Sequence, residues 1–289
     1  MILATDFVDM NFKLNLPTAD ILIPDGVSLA NALVRTTHFA IGAHQDDLEF
    51  MAYHGIAECH EANDKWFLGI TVTDGAGSAR SGNYANYSDQ QMRDVRREEQ
   101  RTAAIIGKFS AVIQLGYSSA TVRDAKAQVV SDLTKILERT NPQEIYLHNP
   151  LDKHRTHLEV LDASIQALRA CVPAKAPRAV YGCEVWRGLD WLNDDEKILL
   201  DTGRYPELAE KLHAVFDSQI GSGKRYDLAI QGRWRANPTF SNPHQIDPLM
   251  RTAYAIDLLP LLHNPKLTIS DFALAAVDRF RASVKADLT

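Results

Sequence analysis

Residues 38–59 of the chain read HFAIGAHQDDLEFMAYHGIAEC, and this stretch indicates the class of fold. It opens with an apolar run, His38 to Ala43, that is short enough for a β-strand. A polar loop follows, and the apolar residues after the loop fall close to one stripe of a helix: Leu48, Met51, Ala52, Ile56 and Cys59. A strand followed by an amphipathic helix is the repeating unit of α/β folds with a mostly parallel sheet.

The same unit recurs along the 289-residue chain. Four further apolar runs are predicted to be strands: Trp66 to Thr73, Ala111 to Leu115, Glu144 to Leu147 and Ala179 to Val185. Amphipathic helical patterns follow the runs that end at Leu115 and Leu147. Thr156, with Glu159 three residues later, fits a capping box and predicts that His157 is the first residue of the second of these helices.

The chain is expected to form a single domain over residues 1–289, because no segment is poor enough in apolar residues to act as a linker. Residues 1–36 precede the first predicted strand as an N-terminal addition. In the tail, helices are predicted near Pro206 to Phe216 and Ser270 to Val284. A segment rich in glycine, proline and asparagine, Gly221 to Pro248, is expected to join them as an irregular stretch.

The charge balance argues against two classes of partner. The chain has 31 Lys and Arg residues against 37 Asp and Glu residues, a net charge of −6, and its basic residues form no dense run. Nucleic-acid and anionic-membrane binding both depend on clustered positive charge, so neither partner is expected. No window is apolar for long enough to insert into a membrane, and Asp6 and Asp9 lie where a signal peptide would be basic and then apolar.

The cysteines indicate the cellular compartment in which the protein is expected. Cys59, Cys171 and Cys183 are widely spaced, and each lies in an apolar stretch. They are expected to be reduced core residues, which is typical of a cytoplasmic protein.

Two of the predicted strands end in loops that are rich in histidine and acidic residues. Residues 43–49 read AHQDDLE, residues 148–157 read HNPLDKHRTH, and together they hold four of the ten histidines. The carboxyl ends of parallel strands meet at one edge of a sheet, so we expect these loops to lie close together. Imidazole and carboxylate groups suit a divalent metal such as zinc, and three protein ligands with one open position are typical of a catalytic site.

Each loop also has a simpler explanation. Asp46 or Asp47 is a common type of residue at a helix N-terminus, where its side chain caps the first turn. Any single histidine is equally compatible with a solvated loop. The occurrence of two such loops at matched positions in one α/β sheet favours the metal site.

The two loops also resemble the signatures of a known family. His44 to Glu49 is similar to the AHPDDxE signature of PIG-L/LmbE-type N-acetylglucosamine deacetylases, and Asp152 to His157 is similar to their His-x-x-His signature before a helix. Arg96 and Glu99 match the Arg-x-x-Glu of that family, and residues 217–219 resemble its His-x-Ser-Gln. The resemblance implies a Rossmann-like, mostly parallel α/β sheet with helices on both faces, a core of about residues 37–219 and a C-terminal extension of about residues 220–289.

The chain departs from the signatures at three places. Gln45 stands in place of the usual proline, Arg155 and Thr156 replace a frequent Pro-Asp pair, and Asp217 stands where the family often has histidine. The first two departures lie between the presumed functional residues and leave those residues intact. They indicate a subfamily with its own substrate.

The resemblance implies a role for each residue of the two loops. His44, Asp47 and His157 would bind one divalent metal ion, for which Zn²⁺ is the expected identity. Asp46 would be the general base, and a protonated His154 would be the second acid/base group. The implied activity is that of a metal-dependent hydrolase, which uses a metal-activated water to remove the N-acetyl group from an N-acetylglucosamine-containing small molecule or glycoside.

Three further residues are candidates for substrate binding. Arg96 is expected to face inward, where an ion pair with Glu99 explains it as well as substrate contact does. Arg235 and His244 lie in the tail and are candidates for contact with an anionic group of the substrate or with the site of a neighbouring subunit, and surface decoration is the alternative. The loop Asp74 to Arg80 is a candidate lid over the sugar.

Several readings stay open at this point. The remaining histidines, His148 among them, have no partner in this scheme and are interpreted as structural. A metal-dependent phosphoesterase is a rival enzyme, and a non-catalytic carbohydrate- or nucleotide-binding protein is a rival of another class. Homo-oligomerisation is also open.

Overall fold

A computed structural model describes residues 12–77, 80–171, 176–221 and 223–289. Within these ranges, eight strands form one sheet: β1 (Asp20–Leu22), β2 (His38–Gly42), β3 (Phe67–Thr73), β4 (Ala111–Tyr117), β5 (Glu144–His148), β6 (Ala179–Cys183), β7 (Ile198–Asp201) and β8 (Thr252–Asp257). The α-helices of the same ranges are α1 (Leu29–Val34), α2 (Asp47–Met51), α3 (Tyr53–Cys59), α4 (Asp89–Ile106), α5 (Ser119–Asp124), α6 (Lys126–Leu137), α7 (Arg155–Cys171), α8 (Pro206–Ala214), α9 (Asp217–Ile220), α10 (Tyr226–Ser241), α11 (Leu259–His263) and α12 (Ile269–Asp287).

The order of the strands places a crevice at the centre of the sheet. The order is β1-β4-β3-β2-β5-β6-β8-β7, in which the central strands from β4 to β6 run parallel. From β2 the chain goes to β3 on one side, and from β5 it goes to β6 on the other side. Because the two connections diverge, the carboxyl ends of β2 and β5 border the opening where ligands bind in such sheets.

Helices cover both faces of the sheet, as the sequence predicts. Phe39 and Ile41 of β2 belong to the core on one face, together with residues of α1, α5, α6, α7, α11 and α12. Ala40, which points the other way, belongs to the second core, with residues of α2, α3, α4, α8 and α10. The central strands are therefore buried on both faces, which explains why they read as continuous apolar runs.

The five predicted strands correspond to β2 to β6, with boundaries that differ by no more than two residues. Strands β1, β7 and β8 were not predicted. All of them pair in antiparallel fashion towards the edges of the sheet, β1 with β4 and β8 with both β6 and β7. Since β8 belongs to the predicted C-terminal extension, the extension is part of the same sheet.

Two local predictions are wrong. The segment Gly221 to Pro248 contains α10, a helix that buries Ile230, Trp234 and Pro238. The capping box at Thr156 does not form, because α7 begins at Arg155 and the amide of Leu158 donates to the carbonyl oxygen of His154. His154, and not Thr156, therefore precedes the first turn of the helix.

Other predictions concern the surface and the termini. Cys59, Cys171 and Cys183 are free, and Cys59 and Cys183 are buried. Among the described residues, no helix combines the length and the apolar composition that a membrane span requires. Asp6 and Asp9, on which the signal-peptide prediction rests, lie outside the described residues, as do positions 78 and 79 of the predicted lid.

Candidate metal centre

The loops after β2 and β5 meet at the central crevice. In the first loop, the amide of His44 donates to Asp47 Oδ2 at 2.7 Å, which fixes the carboxylate of Asp47 at the start of α2. Asp46, between them, has a φ of 91° and a ψ of −29°, a left-handed conformation that is uncommon for residues other than glycine. This backbone turn separates the two neighbouring carboxylates, Asp46 and Asp47.

Three atoms converge at the meeting point of the loops. His44 Nδ1 lies 3.1 Å from His157 Nε2 and 3.3 Å from Asp47 Oδ2, and His157 Nε2 lies 3.4 Å from Asp47 Oδ2. In a tetrahedral zinc site with bonds of about 2.0–2.2 Å, neighbouring ligand atoms are roughly 3.3–3.5 Å apart. The three side chains thus have the spacing of one face of a tetrahedral site and fit a divalent metal ion.

The charges of this triad suit a cation. Burial opposes ionisation of Asp47, but the adjacent His157 and His148 hold the pKa of its carboxyl group well below its usual range. Burial lowers the pKa of His157, and Asp47 and Asp152 together raise it to a net value above normal. The carboxylate is therefore ionised, and any proton carried by the metal-facing nitrogen of His157 must leave when the ring binds a metal.

Asp152 supports the metal-facing orientation of His157. Its Oδ1 lies 3.3 Å from His157 Nδ1 and accepts a hydrogen bond from the amide of His154 at 2.9 Å. Its Oδ2 accepts from the amide of Trp186 at 3.2 Å. A carboxylate behind a histidine ligand fixes the tautomer and directs the other ring nitrogen to the metal.

His148, interpreted from the sequence as structural, lies within the centre. Its ring stacks on that of His157 with centroids 3.9 Å apart, and its Nε2 accepts from the amide of Ala43 at 3.0 Å. Burial and the adjacent His157 lower the pKa of His148 to about 3, so the ring is neutral. His148 belongs to a second donor group with Asp47 and His157, although its Nε2 lone pair is directed to Ala43. The sequence signal was its position as the polar last residue of an apolar strand.

His154 lies beside the triad. Its ring centroid is 4.7 Å from those of both His44 and His157, and the three rings form a group that could hold a metal. Burial and the two neighbouring histidines lower the pKa of His154 to about 4. The structure therefore favours a neutral ring in the free protein, whereas the resemblance implied a protonated one.

Asp46 has the features of a general base. It is almost fully buried, it lines the pocket, and its side chain makes no cap hydrogen bond to α2. Burial, together with the nearby carboxylates of Asp47 and Glu49, raises its pKa well above the usual value. The helix-cap explanation of this aspartate is thus not observed. A carboxylate with a raised pKa is a stronger base than an exposed one.

The Arg-x-x-Glu and Ser-Gln matches meet behind the pocket wall. Both carboxylate oxygens of Glu99 accept hydrogen bonds from Ser218, one from its amide and one from its hydroxyl, at 2.7 and 2.6 Å. Arg96 donates to Ser218 Oγ and to the carbonyl oxygen of Gly75. Gln219 donates to the carbonyl oxygen of Gln45.

This arrangement places Arg96 in a different position from the expected substrate contact. Arg96 is buried and is not among the residues that line the pocket. Gly75, which it holds, has a φ of 76°, and a Cβ there would lie 2.6 Å from Gln45 Oε1 and 2.7 Å from Arg96 Cδ. Arg96 therefore positions the glycine loop of the wall.

The pocket above the centre has a volume of about 570 Å³. Its lining includes His44, Asp46, Asp47 and His154, together with Gly75 and Gly77 of the predicted lid and residues of α10. From α10 it is Arg233, and not the predicted Arg235, that lines the pocket. Arg235 and His244 are exposed, and neither is a lining residue.

Comparison with known proteins supports the resemblance. The family model described as "PIG-L: GlcNAc-PI de-N-acetylase" matches residues 39–168, which contain both loops of the centre. The chain carries a PIG-L family domain. The predicted resemblance is confirmed, and the C-terminal extension lies outside the matched residues. No curated protein matches the chain.

Solved structures share the fold of this chain. N,N′-diacetylchitobiose deacetylase from Pyrococcus horikoshii has 16% identity and a TM-score of 0.62, with 79% of this chain and 86% of that chain covered. The 4-carboxy-2-hydroxymuconate hydratase GalB from Pseudomonas putida has 17% identity and a TM-score of 0.60, with 81% and 98% covered. The A40926 pseudoaglycone deacetylase Dbv21 has 16% identity and a TM-score of 0.53, with 78% and 98% covered. At these identities the comparison establishes the shared fold.

Proposed function

We propose that the protein is a metal-dependent hydrolase that removes the N-acetyl group from an N-acetylglucosamine-type small molecule or glycoside. The observation that supports this most directly is the convergence of His44 Nδ1, Asp47 Oδ2 and His157 Nε2 beside the buried carboxylate of Asp46, within a PIG-L domain. The deacetylases among the similar structures, whose names specify chitobiose and glycopeptide substrates, agree with this assignment.

His44, Asp47 and His157 hold the ion, and we propose Zn²⁺ because two nitrogens and one oxygen at tetrahedral spacing match its preferences. When bound, the ion supplies Lewis acidity, which polarises an acetyl carbonyl and makes water more acidic. The protein's own groups then manage the protons of the reaction.

Asp46 accepts the proton of the attacking water. Its raised pKa brings its basicity closer to neutral pH, where proton transfer is most effective. The proton that Asp46 takes up must reach the departing amine, which cannot leave as an anion, and His154 relays it there. A ring whose pKa is low releases its proton readily once it has received one, so the neutral ring of the free protein is compatible with this role.

The rival activities make different demands on the site. A two-metal phosphoesterase needs a second ion roughly 3.5–4 Å from the first. In the described part of the chain, the donor group Asp47, His148 and His157 shares two residues with the triad, and so does the group of His44, His154 and His157. Neither group supplies an independent second site.

The test is to incubate zinc-reconstituted protein with a panel of N-acetylated amino sugars and glycosides and to measure acetate and the free amine. We expect acetate and free amine to form in equal amounts, and we expect a chelator to abolish the reaction. Because GalB shares the fold, unsaturated carboxylic acids belong in the same panel. Addition of water to these compounds without acetate release from any sugar would contradict the proposal, and so would binding of sugars with no turnover.

A further inference from the structure

One wall of the pocket is basic and comes from the C-terminal extension. Lys224, Arg225 and Arg233 line this wall, together with Tyr226 and Ile230. All of them lie outside the residues that match the family. The chain as a whole has a net charge of −6, so positive charge at the pocket is not a consequence of overall composition.

The basic wall is connected to the metal centre through Trp186. The centroid of the Trp186 ring lies 6.3 Å from that of His154 and 5.6 Å from that of Tyr226. Lys224 Nζ lies 5.4 Å from the same Trp186 centroid. The ammonium group is thus one aromatic ring beyond His154, within reach of a ligand that extends from the centre.

The three cations differ in how far their charge is compensated. Arg225 forms a bidentate ion pair with Asp227, at 3.0 and 2.6 Å. Arg233 donates through Nη1 to the backbone carbonyl of Val185, an uncharged acceptor that fixes the guanidinium at the wall. Among the residues that the structure describes, neither Lys224 nor Arg233 forms an ion pair. Lys224 and Arg233 are therefore less compensated than Arg225, although burial raises the pKa of Glu184 and the charge of Arg233 partly opposes that rise.

We propose that this wall selects substrates in which the N-acetyl amino sugar carries an anionic group, a carboxylate or a phosphate, that binds Lys224 and Arg233. This inference rests on the proposed function and specifies its substrate class. The planar guanidinium of Arg233 presents paired donors that match two oxygens of either anion, and the ammonium of Lys224 adds a mobile charge. A pocket lined by one sign of charge also attracts ligands of the opposite sign.

The test compares three substrates of the zinc-loaded protein: methyl N-acetylglucosaminide, its carboxymethyl counterpart and N-acetylglucosamine 1-phosphate. We expect kcat/KM for the anionic compounds to exceed that of the neutral glycoside by about 10-fold or more, the usual effect of a hydrogen bond to a charged group. The larger of the two anionic values identifies carboxylate or phosphate as the group. The preference should fall as salt is added, because both cations are at least partly exposed.

Lys224→Gln and Arg233→Gln should each reduce kcat/KM for the anionic compounds several-fold more than kcat/KM for the neutral glycoside. Arg235→Gln is the matched control, since Arg235 is an exposed arginine of the same helix outside the pocket lining. An equal effect of Arg235→Gln and Arg233→Gln, or equal kcat/KM for neutral and anionic compounds in the unmodified protein, would overturn the inference.

A binding measurement separates this inference from the proposed function. Asp46→Asn protein is titrated calorimetrically with each of the three compounds, with and without Arg233→Gln. Suppose that the unmodified protein releases no acetate from any of the compounds, but the Asp46→Asn protein binds the anionic ones more tightly and this preference depends on Arg233. That pair of results would refute the deacetylase function and retain the anion site. Acetate release without a preference for the anionic compounds would retain the deacetylase function and refute the anion site.

Discussion

The two sides of the pocket are built on different principles. Around the metal centre, His44, Asp47 and His157 contact one another at 3.1–3.4 Å, and Asp47 and His157 are buried. On the wall of the extension, Lys224 is exposed and can adjust to a ligand, whereas Arg233 is half-buried and is held through one nitrogen by Val185. Catalytic groups must be held to within about 0.5 Å of the productive geometry, whereas the lysine ammonium is a point charge on a flexible stem. On this proposal, the loops of the sheet hold the catalytic groups in place, and the extension supplies a more mobile contact to the substrate.

The strongest test of the rigid side removes a ligand. Asp47→Ala should reduce bound zinc to a small fraction of one equivalent and abolish activity, because it deletes the charged member of the triad. Elemental analysis after zinc reconstitution and dialysis measures this. Lys153→Ala, an exposed change in the second loop, is the control and should retain the metal. Full zinc content in a variant that lacks both Asp47 and His157 would rule out the triad.

A second change separates chemistry from metal binding. Asp46→Asn should retain zinc and lose on the order of 10² to 10⁴ in kcat, the range typical of a general acid or base. Asn keeps the size of the side chain and removes its basicity. Parallel loss of zinc and activity would instead show that Asp46 and Asp47 share the role of ligand.

Loss of Asp152, which lies behind the ligand His157, should lower zinc affinity less than loss of a ligand does. Asp152→Asn is expected to weaken zinc affinity by roughly 10- to 100-fold, as loss of such a supporting carboxylate usually does. Competition with a zinc chelator of known affinity gives the value. An unchanged affinity would mean that the hydrogen bonds of the loop backbone orient His157 without the carboxylate of Asp152.

On the adaptable side, the largest expected effect is on stability. Asn237 donates to Glu184 Oε1 at 2.6 Å and to the carbonyl oxygen of Thr252 at 2.9 Å, and so ties α10 to the sheet. Asn237→Ala should lower the free energy of unfolding by about 1–3 kcal/mol, because Glu184 is buried and loses a donor. Denaturant titration measures the loss. Zinc content should not change, and a loss of metal would show that the two sides are coupled.

The smallest effect concerns the second metal loop. Thr156→Ala should change the free energy of unfolding by less than about 0.5 kcal/mol, because Thr156 does not cap α7. Ser88→Ala is the matched comparison. Ser88 and Gln91 form a true capping box at α4, and its loss should cost about 1 kcal/mol. Equal costs in the two variants would mean that Thr156 caps the helix after all.

The same contrast explains what the sequence can predict. Strands β2 to β6 are buried on both faces, so their apolar runs are visible without knowledge of the fold. Strands β1 and β7 are short, and these two and β8 lie towards the edges, where pairing depends on distant residues. Gly232, Asn237 and Pro238 suggest a break in α10, but burial of Ile230, Trp234 and Pro238, spaced four residues apart, outweighs these local preferences.

For the site, residue type and spacing identify the residues that the family signatures contain. The roles of His148 and Arg233 depend instead on direction. His148 has the same side chain as His44 and His157, yet its Nε2 is directed to the amide of Ala43. Arg233 and Arg235 are two residues apart on one helix, and only the first reaches the pocket. Which side of α10 faces inward is set by the position of Trp234 in the core, and this cannot be predicted from local sequence.

At Asp46, whose backbone is left-handed, the features that would serve catalysis lower the stability of the fold. A residue other than glycine in that region of φ and ψ costs about 1–3 kcal/mol, and the buried carboxylate adds repulsion from Asp47 and Glu49. Glycine at position 46 would remove both the backbone strain and the repulsion, and should yield a more stable protein without activity. A screen that rewards heat resistance alone would therefore tend to erase the activity at this residue, and variants selected in that way need an activity assay before they are called improved.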